Sequence, residues 1–386
     1  MKSKVINVIF TSFIMLTLLA GIARAMFFPK DINELENRYA EKFIPFSFGA
    51  ALSGDYQDSV EKTLADQVPL AEKMKKLYND TNSVFVKKCL AFFTGESRSY
   101  IKLGDKSIFG DYLVFNPSSF DIVKPSLDNR ISAYNDMFKR YPQTEFYMYY
   151  IEKDTDINFE TGEKLGAWEH LKGGLQLPAE NMGVFSVNSF DEFAENFYRT
   201  DHHWKAPGSY KGYCSVMKLL GEEDVLEPEG EYTLPEPFSG SKAQSSDAAS
   251  YSEEFVVYKY PFPKMDITIN GAPFPDYGEQ EAYKTGAEQH SNYGLFYGGD
   301  MGEIIFDTGN EEKEDILIIG ESYDNAILKL IATHFNKTYS IDLRYYEPLV
   351  GKKFHLAEYI KQKDIKKVLL IGNIDYFVTD EFVPED

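Results

Sequence analysis

Ile316-Leu317-Ile318-Ile319-Gly320-Glu321-Ser322 joins a run of four apolar residues to a glycine and a serine. A short apolar run without alternation is typical of a strand that is buried on both faces of a sheet. Residues 324–335 then predict a helix, 339–343 a second strand, 354–362 a second helix and 368–371 a third strand. This order predicts an α/β fold with right-handed crossovers, a parallel sheet and helices on both faces.

Side chains suited to a binding or catalytic site directly follow each predicted strand. Gly320 and Ser322 follow the first strand, Arg344 the second and Asn373 the third. Ligands of parallel sheets bind beyond the carboxyl ends of the strands, so we expect these residues to share one edge. The helix after Ser322 would favour an oxyanion there, and the Asn373 amide can donate to one. Arg344 suits an acidic or acetylated ligand, with a structural ion pair as the equal alternative, and Ser322 could also be a simple helix cap.

A second group of candidate residues is the run Thr200-Asp201-His202-His203-Trp204, in a chain with six histidines and two tryptophans. Histidine changes charge near neutral pH, and a nearby carboxylate can orient its ring and stabilise its cation. In an extended segment, Asp201 and His203 would face the same side and His202 the other. Asp201 and His203 therefore predict the orienting acid and the base of a triad.

Simpler interpretations stay open for several of these residues. His203 could be a structural histidine satisfied by Asp201, and a structural role is favoured for His202. Trp204 either packs beneath the motif, which is favoured, or offers a platform to a sugar ring. A zinc site at the two histidines is disfavoured because adjacent histidines rarely converge on one ion and no third ligand is evident. We therefore expect neither a metal nor a cofactor.

Composition narrows the class of partner. The chain has 386 residues, a net charge of −21 and 15% aromatic residues. Such an acidic protein is not expected to bind nucleic acid or to attract anionic lipid, whereas abundant aromatic rings suit either a core or stacking on sugars. The two cysteines, Cys89 and Cys214, exclude a disulfide scaffold. A buried free thiol is expected at Cys214, although a single bridge to Cys89 stays open.

The N-terminus predicts export. Lys2 and Lys4 precede an uncharged run at 5–23, which ends in a small-x-small pattern. About 19 residues suffice to span a bilayer, so we predict an extracytoplasmic protein whose signal is cleaved or kept as an anchor. A buried core helix is the alternative for this run.

Three regions are predicted along the chain. Residues 1–25 would form the signal peptide or anchor, 26–110 a juxtamembrane helical region and 111–386 the α/β domain. This domain would carry a β-rich insertion at about 221–310, of which 221–252 has the composition of a linker or surface segment.

Several motifs resemble the DHHW family, which is similar to the SGNH-like alginate O-acetyltransferases. They cover most of the predicted exported part and are Glu36-Asn37-Arg38, Asp66-Gln67-Val68-Pro69, Tyr198-Arg199-Thr200-Asp201-His202-His203-Trp204 with Gly208-Ser209-Tyr210, Glu321-Ser322-Tyr323 and Ile341-Asp342-Leu343-Arg344-Tyr345-Tyr346. The resemblance implies an SGNH-like (flavodoxin-like) sheet whose Asp-x-His motif precedes the serine, as in a circular permutation. Departures from the usual pattern are Glu321 in place of Asp, Lys205 in place of Thr and Ser209 in place of Ala.

The resemblance also implies the site and its chemistry. Ser322 would be the nucleophile, His203 the base and Asp201 its orienter. The oxyanion or substrate site would draw on Asn373, Arg344, Gly320, Trp204 and Tyr323. The implied function is an O-acetyltransferase or acetylesterase that acts on a cell-surface or secreted glycan, with an acetyl donor and a possible membrane partner for acetyl transfer. The alternative is an inactive envelope or glycan-binding protein on the same fold.

Overall fold

The computed structural model describes residues 21–30, 40–67 and most of 112–379, together with short stretches elsewhere; within the last range the gaps are 116, 118, 223, 236, 246–251 and 275–292. Most of the predicted signal or anchor, and Cys89, lie outside the described residues. Among the residues that are described, no helix is long and apolar enough to cross a membrane. Cys214 is a free, half-buried thiol.

The chain divides into two compact units. The first comprises residues 1–96 and 243–249, and the second comprises 97–242 and 250–386. The boundaries predicted at residues 25 and 110 stay predictions.

The described part of the first unit includes a helical stretch at 21–27, a small antiparallel pair of strands and two further helices. Its elements are β1 (Ile32–Asn33), β2 (Arg38–Tyr39) and the helices Phe48–Ser53 and Asp55–Gln67. Buried polar side chains at the end of the longer helix hold the preceding chain. Gln67 Oε1 accepts from Lys30 N at 2.8 Å, and Asp66 Oδ2 accepts from Glu41 N at 2.8 Å.

The second unit is the α/β part of the chain. Its strands are β3 (Tyr100–Lys102), β4 (Leu113–Phe115), β5 (Glu145–Ile151), β6 (Met182–Phe185), β7 (Gly230–Thr233), β8 (Val256–Lys259), β9 (Asp266–Ile269), β10 (Ala272–Pro273), β11 (Glu303–Asp307), β12 (Ile316–Ile319), β13 (Lys337–Ile341) and β14 (Lys367–Gly372). Its helices are Phe120–Arg140, Ala167–Gly174, Phe190–Asn196, Ala206–Leu219, Ser241–Ser245 (which starts in this unit), Tyr293–Phe296, Asn325–Ala332, Leu343–Val350, Leu356–Lys363 and Ile374–Val378, with single 3-10 turns at Asp154–Asp156 and Ala179–Asn181.

An eight-stranded sheet organises this unit in the order β10-β9-β11-β13-β12-β14-β5-β6. The five strands from β13 to β6 are parallel, which confirms the predicted α/β fold. The inserted segment adds β9, β10 and β11 to the same sheet in antiparallel orientation, so the sheet is mixed. The sequence predicted a β-rich insertion but not that its strands extend the main sheet, because their pairing partners lie far along the chain.

Both faces of the sheet are buried, as the unbroken apolar runs predict. Alternate residues of β12 enter separate cores, with Ile316 and Ile318 on one face and Leu317 and Ile319 on the other. The helices Ala206–Leu219 and Asn325–Ala332 contribute to the first core, and Phe120–Arg140 and Leu356–Lys363 contribute to the second.

One local prediction is wrong, and one predicted strand is confirmed but ends earlier than expected. The linker predicted at 221–252 contains Leu234 and Phe238, which are 3% and 0% exposed and belong to the core. Isolated large side chains between polar residues produce no period, so composition alone conceals their burial. The strand predicted at 339–343 ends at Ile341, because the Asp342 carboxylate accepts from Arg344 N at 3.0 Å and starts the helix Leu343–Val350.

Candidate active site

The carboxyl edge of the parallel strands brings the predicted residues together. Ser322 follows β12 and Asn373 follows β14, the adjacent strand. In the sheet, β14 lies between β12 and β5. The chain continues from β12 to β13 on one side of β14 and from β5 to β6 on the other side, so the connections diverge around β14. Open α/β sheets bind ligands at such switch points.

The segment with Asp201 and His203 is a closed loop and not an extended strand. A β-bridge between Phe197 and Trp204 closes it, and Tyr198 N donates to His203 O at 3.1 Å. Within the loop, Asp201 Oδ1 accepts from His203 N at 2.9 Å, which forms an Asx turn. The turn also folds the His202 ring onto the His203 ring, with 3.8 Å between centroids. The prediction that His202 points away from His203 is therefore wrong.

Ser322, His203 and Asp201 form a continuous hydrogen-bonded chain. His203 Nε2 lies 2.8 Å from Ser322 Oγ, and His203 Nδ1 lies 2.6 Å from Asp201 Oδ1. An ionised carboxylate only accepts hydrogen bonds, so Nδ1 carries the proton. Nε2 is then the acceptor for the Ser322 hydroxyl. Ser322 is half-buried and reachable, whereas Asp201 and His203 are buried.

The second oxygen of Asp201 is held by the inserted segment. Asp201 Oδ2 accepts from Ser241 N at 2.7 Å. The preceding Gly240 packs so closely on Asp201 that a Cβ at this glycine would overlap it. Burial opposes ionisation of Asp201, but the neighbouring charges of His202 and His203 and hydrogen bonds from His203 and Ser241 outweigh it, so the pKa of the carboxyl falls below its ordinary value. Asp201 is therefore an anion throughout the neutral range.

Aromatic rings fix the plane of the His203 imidazole. Tyr293 stacks on it with 3.8 Å between centroids and 6° between planes, and Tyr323 packs at 5.0 Å. Burial, and then the nearby charge of His203, lowers the pKa of His202 well below its ordinary value. The His202 Nδ1 lies 2.6 Å from Ser241 Oγ, so this imidazole is engaged away from the hydrogen bond to Ser322.

Two residues predicted at the substrate site lie beneath it. Trp204 is 1% exposed and packs against the backbone of Gly212 and the rings of Phe185 and Tyr323. Tyr323 is fully buried, and its hydroxyl donates to the backbone oxygen of His202. Neither ring presents a face to a ligand. The packing favoured for Trp204 agrees with this burial, and the substrate contact that the resemblance implied for both residues is corrected to support of the motif loop.

Asn373 retains a free amide donor at the site. Its Oδ1 accepts from Asp375 N at 2.7 Å and caps the helix Ile374–Val378. Its backbone N donates to Glu321 Oε1 at 3.0 Å. Glu321, which stands in place of the usual Asp, therefore links the end of β12 to the end of β14. Asn373 is buried, and no described residue is found to accept a hydrogen bond from its Nδ2, so the amide keeps a donor at this edge of the sheet.

Arg344 and Gly320 have structural partners at the same edge. Arg344 Nε and Nη2 bind the Asp342 carboxylate at 3.0 and 2.6 Å, with Asp300 3.6 Å away. This favours the ion-pair interpretation of Arg344 over ligand contact. Gly320 leaves space for the Asp324 carboxyl, which would overlap any Cβ placed there.

One group of described residues has the donor atoms for a metal ion. Ligand atoms of Asp201, His202 and His203 all lie within 4.8 Å of one another. The Asp201 oxygens and His203 nitrogens already form the hydrogen-bonded chain with Ser322 and Ser241. A metal ion would have to displace these bonds, so the geometry fits the triad better.

Residues that the sequence analysis missed come from the insertion. They are Tyr293 against the imidazole, Ser241 on Asp201, and Glu253, whose Oε1 accepts from Thr200 N and Oγ1 at 2.7 Å each. No local signal marks them, because each acts on a loop at least 39 positions earlier in the chain.

Comparisons with known proteins agree with this architecture. A family model described as DHHW protein matches residues 185–341, which confirms the resemblance predicted from the motifs. Bacillus cereus PatB1 superposes with a TM-score of 0.56 at 20% identity, covering 73% of this chain and 99% of that chain. The same protein with a sulfonyl adduct gives 0.56 at 19% identity, covering 75% and 100%.

A third similar structure is a DHHW family protein from Eubacterium siraeum. It has a TM-score of 0.52 at 17% identity, and the match covers 70% of this chain and 89% of that chain. These likenesses establish the SGNH-like α/β fold. A comparison with curated proteins found no significant match.

Proposed function

We propose that this protein transfers acetyl groups through Ser322, either to a glycan hydroxyl or to water, outside the cytoplasmic membrane. The hydrogen-bonded chain from Ser322 Oγ through His203 to Asp201 is the observation that carries the proposal. It provides an activated nucleophile, a base and an orienting anion in the arrangement of serine acyl transfer.

The first half-reaction forms an acyl-serine. Ser322 Oγ attacks the carbonyl carbon of an acetyl ester while its proton moves to His203 Nε2. The Asn373 amide donates to the oxyanion of the tetrahedral intermediate. Collapse of this intermediate breaks the ester bond, and the departing alkoxide takes the proton from His203.

The second half-reaction regenerates the serine. A sugar hydroxyl or a water molecule attacks the acetyl-Ser322 carbonyl and gives its proton to His203 Nε2. The new tetrahedral intermediate then expels Ser322 Oγ, which recovers the proton. The product is an acetylated sugar in the first case and free acetate in the second.

Acetyl esters of glycans are proposed as substrates on two grounds. The Asp-x-His-Trp and Glu-Ser motifs resemble those of the SGNH-like alginate O-acetyltransferases, and Asp201, His203 and Ser322 occupy the corresponding positions. An exported location is supported by the charge pattern and apolar run of residues 2–25. A membrane partner that supplies the acetyl group is part of the same proposal.

The test is turnover of 4-nitrophenyl acetate by the full chain, with and without soluble oligosaccharides. Parent protein should release nitrophenol and, with a suitable acceptor, yield an acetylated sugar by mass spectrometry. Ser322→Ala should abolish both, and Ser209→Ala is the matched control because Ser209 Oγ only bonds Ala206 O within its helix. Absence of turnover by the parent, with oligosaccharide binding unchanged in Ser322→Ala, would favour a glycan-binding protein.

A further inference from the structure

The first unit exposes an uncharged apolar segment, residues 43–54, which we call the apolar loop. It lies between Lys42 and Asp55 and contains no charged residue. Its large side chains are unusually exposed, at 60% for Phe46, 81% for Phe48 and 89% for Leu52. A contiguous apolar surface of this kind marks a site of interaction with a membrane or another molecule.

The polar groups of the apolar loop are largely satisfied within the chain. Ser47 Oγ accepts from Ala50 N at 3.1 Å, and Ser53 Oγ donates to Ala50 O at 3.2 Å. Gln57 Nε2 donates to Ala51 O at 3.2 Å, and the left-handed Gly54 ends the helix Phe48–Ser53. Satisfied backbone groups are a requirement for entry into hydrocarbon, because lipid offers them no hydrogen bonds. These bonds satisfy part of the backbone of the apolar loop before any partner binds.

A second exposed apolar group follows the predicted anchor. Met26, Phe27 and Phe28 are 59%, 72% and 71% exposed. They follow the uncharged run at 5–23 after Arg24 and Ala25; most of this run lies outside the described residues, and it is long enough to span a bilayer. As the predicted anchor, that run would bring these three side chains close to a membrane surface.

One helix relates the two apolar groups. Lys30 is bonded to Gln67 at the end of the helix Asp55–Gln67, whereas Ile44 N donates to Ser59 Oγ near its start. Phe46 packs on Tyr56 in the first turn, with 5.2 Å between ring centroids. A helix of 13 residues is about 20 Å long, so the apolar groups lie towards opposite ends of one rigid element.

We propose that the apolar loop inserts into the boundary between headgroups and acyl chains of a lipid bilayer. Met26, Phe27 and Phe28 would contact the same bilayer and hold the helix Asp55–Gln67 parallel to it. An uncharged surface suits zwitterionic lipid, and Lys42 beside the loop can keep its ammonium at the headgroups while its stem stays in contact with the apolar phase. This membrane contact is independent of the acetyl-transfer chemistry.

The test places a fluorescent reporter at the tip of the apolar loop. The full-length Phe48→Trp variant is reconstituted into phosphatidylcholine vesicles, with and without lipids brominated on their acyl chains. The native Trp168 and Trp204 are 8% and 1% exposed, so subtraction of the parent spectrum isolates the new indole. Leu349→Trp, at a 47% exposed position of the second unit, is the matched control.

The proposal predicts that Trp at position 48 shifts to shorter emission wavelength and is quenched severalfold more by brominated lipid than Trp at position 349. Flotation with vesicles but equal quenching at both positions would overturn it, and so would failure of the parent to float. A shift that appears without lipid and grows with protein concentration would instead assign the apolar loop to a contact between two copies. Acetyl-ester turnover, measured on the same samples, reports separately on the active site.

Discussion

Replacement of Asp201 by Asn tests the role of Asp201 in the triad, because Asn keeps the shape of the side chain and changes one hydrogen-bond acceptor into a donor. Both carboxylate oxygens accept from N–H groups, Oδ1 from His203 and Oδ2 from Ser241. Asn offers only one acceptor, so one of two faults must follow. Either its NH₂ group opposes the Ser241 N–H at the 2.7 Å position, or it donates to His203 Nδ1 and moves the ring proton to Nε2.

The second fault removes the base, because a protonated Nε2 cannot accept the Ser322 proton. In Ser-His-Asp triads the wrong tautomer lowers kcat by about 10⁴, equivalent to about 5.5 kcal/mol of barrier. The first fault leaves a buried N–H without an acceptor and should cost about 1–3 kcal/mol of stability. We therefore expect Asp201→Asn either to melt at a lower temperature, if the amide NH₂ faces Ser241 N, or to lose about 10³- to 10⁴-fold in kcat, if it faces His203 Nδ1.

The assay is 4-nitrophenyl acetate turnover, with thermal unfolding recorded on the same protein. Asp66→Asn is the control, because Asp66 is also buried and accepts a backbone N–H, from Glu41, but belongs to the first unit. Asp66→Asn should lose stability without a comparable loss of kcat. If folded Asp201→Asn kept both kcat within about threefold of the parent and the melting temperature of the parent, the two hydrogen-bonded roles assigned to the Asp201 carboxylate would be refuted.

Three further outcomes follow from the contacts. Turnover by His202→Ala should fall less than the roughly 100-fold expected when a general base is removed, so a larger loss would contradict the assignment of the base. Glu321→Asp should lose its hydrogen bond to Asn373 N and lower kcat by about tenfold or more at constant KM. Glu321→Gln keeps an acceptor for Asn373 N and should retain more activity. Equal kcat in the two variants would argue against a role of this hydrogen bond in catalysis. Burial lowers the pKa of His334 from 6.5 to about 4, and its Nε2 lies 2.6 Å from the Tyr213 hydroxyl. Neutral His334 thus stabilises the fold fully above pH 6.5 and loses this effect as the pH falls to about 4, so the Tm of His334→Gln should fall less than that of the parent over this window.

The fold was predictable where local pattern and packing agree. Residues 368–371 were predicted as a strand and lie within β14, and the four apolar residues before Gly320 form β12. Because site residues of parallel sheets lie beyond the carboxyl ends of the strands, Ser322 and Asn373 could be predicted at one edge of the sheet without any long-range information. These features depend on short apolar runs, whose burial on both faces leaves a clear signal in sequence.

The parts that were not predictable depend on contacts between distant segments. Nothing near Ser241 or Tyr293 indicates that they touch Asp201 and His203, because each residue begins a helix of only four or five residues, which is too short to show a hydrophobic period. The orientation of His202 was wrong for a local reason. The Asp201 carboxylate bonds its own backbone two residues ahead and bends a segment that alternation would have left straight.

The most direct test of the account is covalent labelling of the full chain by a sulfonyl fluoride, followed by peptide mass spectrometry. A sulfonyl adduct is present in one structure of PatB1, which shares this fold. Because His203 Nε2 lies 2.8 Å from the Ser322 hydroxyl, the sulfonyl group should appear on the peptide that contains Ser322, and His203→Ala should slow labelling by about 100-fold or more. Labelling at Ser241 in place of Ser322, or labelling of Ser322 at the same rate in His203→Ala, would contradict an activated nucleophile at this position.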